Sequence, residues 1–206
     1  KYQWHLNNTG QTNFSNNSGT SGADLNIDAA IVSGKTGNGI VVAVLDSGLE
    51  IAHEDLTDNV INGGGYDYVN SDLDPTPSGS GSDHGTMVAS IIAARGWNNI
   101  GMRGVAPKAS VMGFNIAASG AFSTANHISA LGDSSLVADV SVFNMSYATD
   151  RSANLVPSVS SSEFAAIASG GTTLRGGKGA SYVNSVGNDY NTGATGSASF
   201  SYCGNG

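Results

Sequence analysis

A continuous apolar run, Ile40-Val41-Val42-Ala43-Val44-Leu45, closes abruptly at Asp46-Ser47-Gly48. It is rich in β-branched residues and shows no polar alternation. That pattern predicts a strand buried on both faces, as in a parallel sheet. Similar runs predict strands around residues 110–115, 139–145 and 180–186. Between them lie stretches with helical spacing. The Ala-rich run 84–94 opens at His84, with Ser82 or Asp83 as its cap. Residues 123–137 offer a face of Ala125, Ile128, Leu131 and Leu136, and residues 160–169 offer Phe164, Ala165, Ile167 and Ala168. A short helix over 24–32 is predicted with Asp24 as cap and Leu25, Ala29 and Val32 on one side. Residues 1–24 read as a polar, loop-like segment anchored by Trp4 and Leu6. Residues 34–39 read as a turn, and 49–81 as loops punctuated by Gly63-Gly64-Gly65 and by Pro75 and Pro77. Strands alternating with helices predict the α/β class: a parallel β-sheet flanked by helices on both faces.

Composition agrees. A chain of 206 residues with 39 % hydrophobic positions can bury a core. Its 12 % of charged residues and 29 glycines describe a loop-rich domain and not a coiled or disordered one. The formal net charge of −8 supplies no basic surface for phosphates, which argues against nucleic acid as a partner. No apolar run reaches membrane-span length, so no membrane partner is expected, and no signal-peptide pattern is present. Cys203 stands alone, so it is either a free thiol or has a partner outside this chain.

Candidate chemistry collects at the ends of these elements. Asp46 ends the first strand, His84 opens the Ala-rich helix, and Asn188 follows the 180–186 strand. In an open parallel sheet such positions converge on the carboxyl edge. A carboxylate can hold an imidazole in one tautomer while the imidazole takes a proton from a nucleophile. An asparagine amide can donate to a developing oxyanion. His53-Glu54 could hint at a zinc hydrolase, but a second histidine one helical turn away is missing.

These motifs resemble those of subtilisin-like serine proteases. The segment 41–48 is similar to the family's aspartate motif, and His84-Gly85-Thr86-Met87-Val88-Ala89 to its histidine motif. Arg103-Gly104-Val105-Ala106-Pro107 and Ser185-Val186-Gly187-Asn188 match in kind and order. Gln3-Trp4-His5-Leu6, Asp24-Leu25-Asn26-Ile27 and Leu49-Glu50 place the resemblance nearest the kexin/furin-type branch. The resemblance implies a subtilisin-like fold, incomplete in this chain, with residues 1–206 as the N-terminal portion of a catalytic domain. It implies that His84 is the general base, that Asp46 orients it, and that Asn188 donates to the oxyanion. Asn144, Met145, Ser146, Tyr147 and Ala148 would line the cleft and pair with an extended peptide or protein substrate, opposite residues 116–122. It also implies structural calcium held by Asp55, by the side chain of Asn98, and by the carbonyls of Arg95, Ile100 and Met102. Furin-type members prefer basic residues. Glu50 and Asp150 could serve that preference, whereas Gly204-Asn205-Gly206 departs from the aspartate usual after the position of Cys203.

The family nucleophile, a serine in Gly-Thr-Ser-(Ala or Met)-x-x-Pro, is not matched after Asn188. Gly19-Thr20-Ser21 shares three letters but precedes Asp46, and it reads as a surface loop. The expectation is therefore a secreted, extracellular serine endopeptidase whose Asp and His lie here. Its Ser would lie in a second chain or a C-terminal segment that also offers a partner for Cys203. The alternative is an inactive fragment or pseudoprotease that binds peptides.

Overall fold

The structure, a computed structural model, describes residues 2–13, 16–79, 83–117, 121–147 and 160–185. Five strands form one parallel sheet: β1 Val41–Asp46, β2 Val60–Asp67, β3 Ser110–Asn115, β4 Val142–Met145 and β5 Ser181–Asn184. Their order is β2-β3-β1-β4-β5, which puts the apolar run of β1 at the centre. From β1 the chain moves out to β2, returns through β3, and then crosses to β4 and β5. β1 is thus the place where the winding reverses, and crevices at such a reversal open beyond the carboxyl ends of the strands.

The alternation along β1 divides the core in two. Val42 and Val44 face a cluster with Leu49, Leu56, Ala109 and Val111, closed by Ala89 and Ala93 of helix α2 (His84–Ala93). Ala43 and Leu45 face the opposite cluster, with Phe114, Phe143, Leu131 and Leu174. That second face is covered by Ala130, Leu131 and Val137, in the turns that follow α3 (Thr124–Ile128), and by Ala166, Ile167 and Leu174 of α4 (Ser161–Gly177). Helices therefore lie on both faces, as the sequence predicts.

Several elements differ in detail from the sequence reading. The glycine triplet 63–65 lies inside β2 and not in a loop; as an edge strand, β2 tolerates the weak pairing, and its register with β3 shifts between Val60 and Gly65. The first helix, α1, is only Asp28–Val32. Asn26 has φ 49°, which stops a helix from starting at Asp24, and Asp24 instead accepts from the backbone N–H groups of Asn8 and Asn26. Leu25 and Val32 are exposed and carry no core.

The 123–137 stretch breaks up. α3 is capped by the Ser123 hydroxyl, which accepts from Asn126 N–H at 3.1 Å. A π turn (Ser129–Asp133) and a 3₁₀ turn (Ser135–Val137) follow, and the first is kinked at Gly132, with φ 153°. This rotation turns Val137 inward in place of Leu136. α4 extends beyond residue 169, and its backbone leaves helical geometry at Leu174, Arg175 and Gly176. Phe164 is exposed, while Ala166, Ile167 and Leu174 pack inward. β4 begins at Val142 and not at 139. Leu6 is buried as expected, and the Gln3 amide group grips the Arg103 backbone, donating to its carbonyl at 2.6 Å and accepting from its N–H at 3.2 Å.

Candidate active site

β1 delivers Asp46 to the carboxyl edge of the sheet. Its backbone carbonyl there accepts from Ile116 N–H at 2.9 Å and Ala117 N–H at 3.0 Å. Its carboxylate Oδ1 accepts from Ser47 N–H at 2.7 Å and lies 2.8 Å from His84 Nδ1. Main chain and side chain are both tethered, so the carboxylate has little freedom to turn away. The aspartate side chain is 3 % exposed, whereas the imidazole is 54 % exposed. With Nδ1–H donating to Asp46, Nε2 on the half-exposed ring is left to accept a proton.

The helix that carries His84 is placed by small residues. A Cβ on Gly85 would fall 2.1 Å from Gly48 O and 2.9 Å from Asp46 Cβ, so only glycine lets the first turn of α2 rest on the Asp46-Ser47-Gly48 corner. Gly85 N–H donates to Ser47 Oγ at 3.2 Å, and Thr86 Oγ1 accepts from Glu50 N–H at 3.0 Å. Ala89 and Ala93 then carry the helix down onto Val42 and Val44. Asp83 makes no capping hydrogen bond and has helical φ/ψ, and Ser82 lies outside the described residues.

Below α2 the 95–102 loop folds over Asp55. Arg95 N–H donates to Asp55 O at 2.7 Å and Met102 N–H donates to Asp55 Oδ2 at 2.8 Å. Asn98 Oδ1 accepts from Ile100 N–H at 3.3 Å. The other carboxylate oxygen, Asp55 Oδ1, is buried with no hydrogen-bond partner. Gly101, at φ 43°, comes so close that a Cβ would sit 2.0 Å from Asp55 Oδ2. Among the described residues no three His, Cys, Asp or Glu side chains converge on one point, so any ion held here needs carbonyl and amide oxygens beside this single carboxylate.

β4 carries the cleft candidates. Met145 pairs with Leu45 on one side and with Asn184 on the other. Asn144 Nδ2 donates to Ser146 Oγ at 3.0 Å. Tyr147 Oη lies 2.6 Å from His127 Nε2, and the Tyr147 carbonyl accepts from Ser185 Oγ at 3.4 Å. Across from them Ile116 is buried and Phe122 is exposed. Asn188, Ala148, Asp150 and Cys203 lie outside the described residues. Thr20 and Ser21 are exposed, as a surface loop requires.

Two residues beside Tyr147 escaped the sequence reading. His127 and Glu163 are buried, with His127 Nδ1 and Glu163 Oε1 2.5 Å apart. A signal for Glu163 was present: Ser160 and Glu163 have capping-box spacing, and both halves of that box form. Burial pushes the Glu163 carboxyl pKa up, but hydrogen bonds with His127 and Ser160 outweigh it and hold the group below the usual glutamate range.

Fold and site together define a parallel α/β domain whose carboxyl edge presents an aspartate–imidazole dyad. The family model described as Subtilase family matches residues 37–203, and the chain belongs to that family. It is 41 % identical over 209 residues to the Aeromonas extracellular serine protease of Aeromonas sobria, covering 99 % of this chain and 32 % of the relative. It is 32 % identical over 184 residues to human neuroendocrine convertase 2, covering 88 % of this chain and 28 % of that protein. The solved serine protease of Aeromonas sobria superposes with a TM-score of 0.81 at 38 % identity, over 92 % of this chain and 32 % of that structure. The chain thus spans about a third of the length of the Aeromonas sobria relative, 32 %.

Proposed function

We propose that this chain supplies the aspartate and histidine of an Asp–His–Ser endopeptidase centre. The observation that carries the reading is the 2.8 Å contact between His84 Nδ1 and a buried Asp46, on a ring exposed enough to exchange protons. His84 takes the proton of the attacking serine hydroxyl and later delivers it to the leaving amine. Asp46 keeps Nε2 unprotonated and stabilises the imidazolium that forms. The serine lies outside residues 1–206, in a following segment or a second chain. Asn188 donates to the tetrahedral oxyanion. Residues 144–148 take the substrate peptide as an added strand.

The 95–102 loop and Asp55 suit calcium: the unpartnered buried Oδ1 and the cradle at Gly101 support a hard cation, with Asn98 and the carbonyls of Arg95, Ile100 and Met102 as the remaining oxygens. When bound, calcium neutralises Asp55 and braces the far end of α2. Secretion is supported by the relatives described as extracellular proteases of Aeromonas sobria and Bacillus subtilis. No helix among the described residues is long and apolar enough to cross a membrane.

The full-length protein should react stoichiometrically with a serine-directed phosphonylating reagent and hydrolyse peptides, and His84→Ala should slow both reactions. A wild-type protein that binds peptides, cleaves none and resists the reagent is a peptide-binding module and not a protease.

A further inference from the structure

A second carboxylate–imidazole pair, here continued by a tyrosine hydroxyl, stands beside residues 144–147. Glu163 Oε2 accepts from Ser160 N–H at 2.9 Å and from Ser160 Oγ at 2.7 Å, which closes the N-terminus of α4. Its other oxygen, Oε1, faces His127 Nδ1, so the carboxylate keeps a proton on Nδ1 whether the ring is neutral or charged. Nε2 faces Tyr147 Oη at 2.6 Å. The three groups link α4, α3 and the segment that continues from β4. Unlike His84, the His127 side chain is only 2 % exposed. Shielded from solvent and with Nε2 taken by Tyr147, the ring is placed to hold a neighbour and not to exchange protons.

Tyr147 is also packed by rings. Its centroid lies 5.9 Å from that of His127 and 6.2 Å from that of Phe122, edge-on to the latter. Rings alone allow a tyrosine to swing about χ1. The hydroxyl bond to a ring that is itself fixed by a carboxylate removes that freedom.

We infer that Glu163 and His127 are positioning residues that hold Tyr147, and through it the 144–147 segment at the end of β4, in the register a substrate peptide must meet. This rests on the reading of that segment as the substrate-pairing edge. The device acts on binding an extended chain and leaves the proton transfers at His84 untouched.

The test uses the full-length protein with two substrates: a peptide long enough to pair along the segment, and a single-residue ester that does not reach it. Tyr147→Phe keeps the ring and removes the hydroxyl. It should raise KM for the peptide roughly fivefold, the worth of one net hydrogen bond, with kcat unchanged; Glu163→Gln, outside the substrate-pairing segment, should raise the same KM and leave ester hydrolysis unchanged within about twofold. An unchanged peptide KM, or a fall in kcat as large as the rise in KM, overturns the inference.

Glu163→Gln gives an independent readout. Its amide oxygen should still accept from Ser160 N–H, which turns the NH₂ group toward His127. Nitrogen-15 NMR should then find Nδ1 protonated in the wild type and unprotonated in the variant. A bare Nδ1 in the wild type overturns the chain as drawn. Failure of the protease reading is separately visible, because then neither substrate is hydrolysed by the wild type or lost on His84→Ala.

Discussion

The two faces of the sheet carry the same pair of groups under opposite conditions. On the α2 face, His84 meets Asp46 at 2.8 Å with the ring 54 % exposed. On the α3–α4 face, His127 meets Glu163 at 2.5 Å with the ring 2 % exposed and its second nitrogen taken by Tyr147. The carboxylate orients the imidazole in both cases. What differs is the second nitrogen: one belongs to a half-exposed ring, the other is tied to a neighbouring side chain. Carboxylate–imidazole geometry alone therefore does not identify a catalytic base. A base that exchanges protons with a substrate also needs access at the far nitrogen, and there the two rings differ.

The supports differ as well. His84 opens a helix that approaches the sheet through Gly85, Thr86, Ala89, Ser90 and Ala93, all small and buried. His127 sits on one short helical turn wedged under the start of α4. The first arrangement fixes a backbone, with the ring held by Asp46 on one side and exposed on the other. The second fixes the side chain itself.

Substitutions should separate the two regions. After removal of His84 itself, the largest effect belongs to Gly85→Ala. The new methyl group must push α2 off Gly48 O, and a displacement near 1 Å at the base costs about 100-fold in kcat/KM. Steady-state kinetics on a correctly folded variant, checked by circular dichroism, would measure it.

Next comes Asp55→Asn, which removes the charge of the proposed cation site. Full-length wild type should lose several degrees of Tm when calcium is chelated, at about 2–4 °C for each kcal/mol of lost binding, and the variant should lose far less. Calorimetry with and without chelator gives both numbers. Equal sensitivity in the two proteins would remove Asp55 from the site.

Smaller still is an acid effect confined to the α3–α4 face. The folded-state pKa of Glu163 is depressed, so its contribution to stability is present above the ordinary glutamate range and is lost as pH falls through the folded value. The Tm gap between wild type and Glu163→Gln should therefore narrow below about pH 4.5. A gap that widens on acidification would contradict the assignment.

Much of this was legible in the sequence because the signals were local and strong. The run 40–45 lacks polar alternation, and a strand of that kind must lie at the centre of a sheet, where β1 is found. Asp46 and His84 were legible from small-residue motifs whose glycines the structure explains by contact, Gly85 above all. β2 was not legible, because an edge strand pairs on one side only and can carry Gly63-Gly64-Gly65, which read as a turn. The short α1 was masked by Asp24, whose side chain serves an Asn8 and Asn26 turn as readily as a helix cap. His127 was invisible for another reason: its partners Glu163 and Tyr147 lie 36 and 20 residues away, and no local pattern announces a contact between α3, α4 and the segment after β4.

The claim that the exposed pair works and the buried pair positions is tested most directly by the turnover number of two full-length variants, His84→Ala and Tyr147→Phe, on one extended peptide. The account predicts a fall of about 10⁴-fold or more for His84→Ala and an unchanged kcat for Tyr147→Phe. Near-normal turnover in His84→Ala would contradict it.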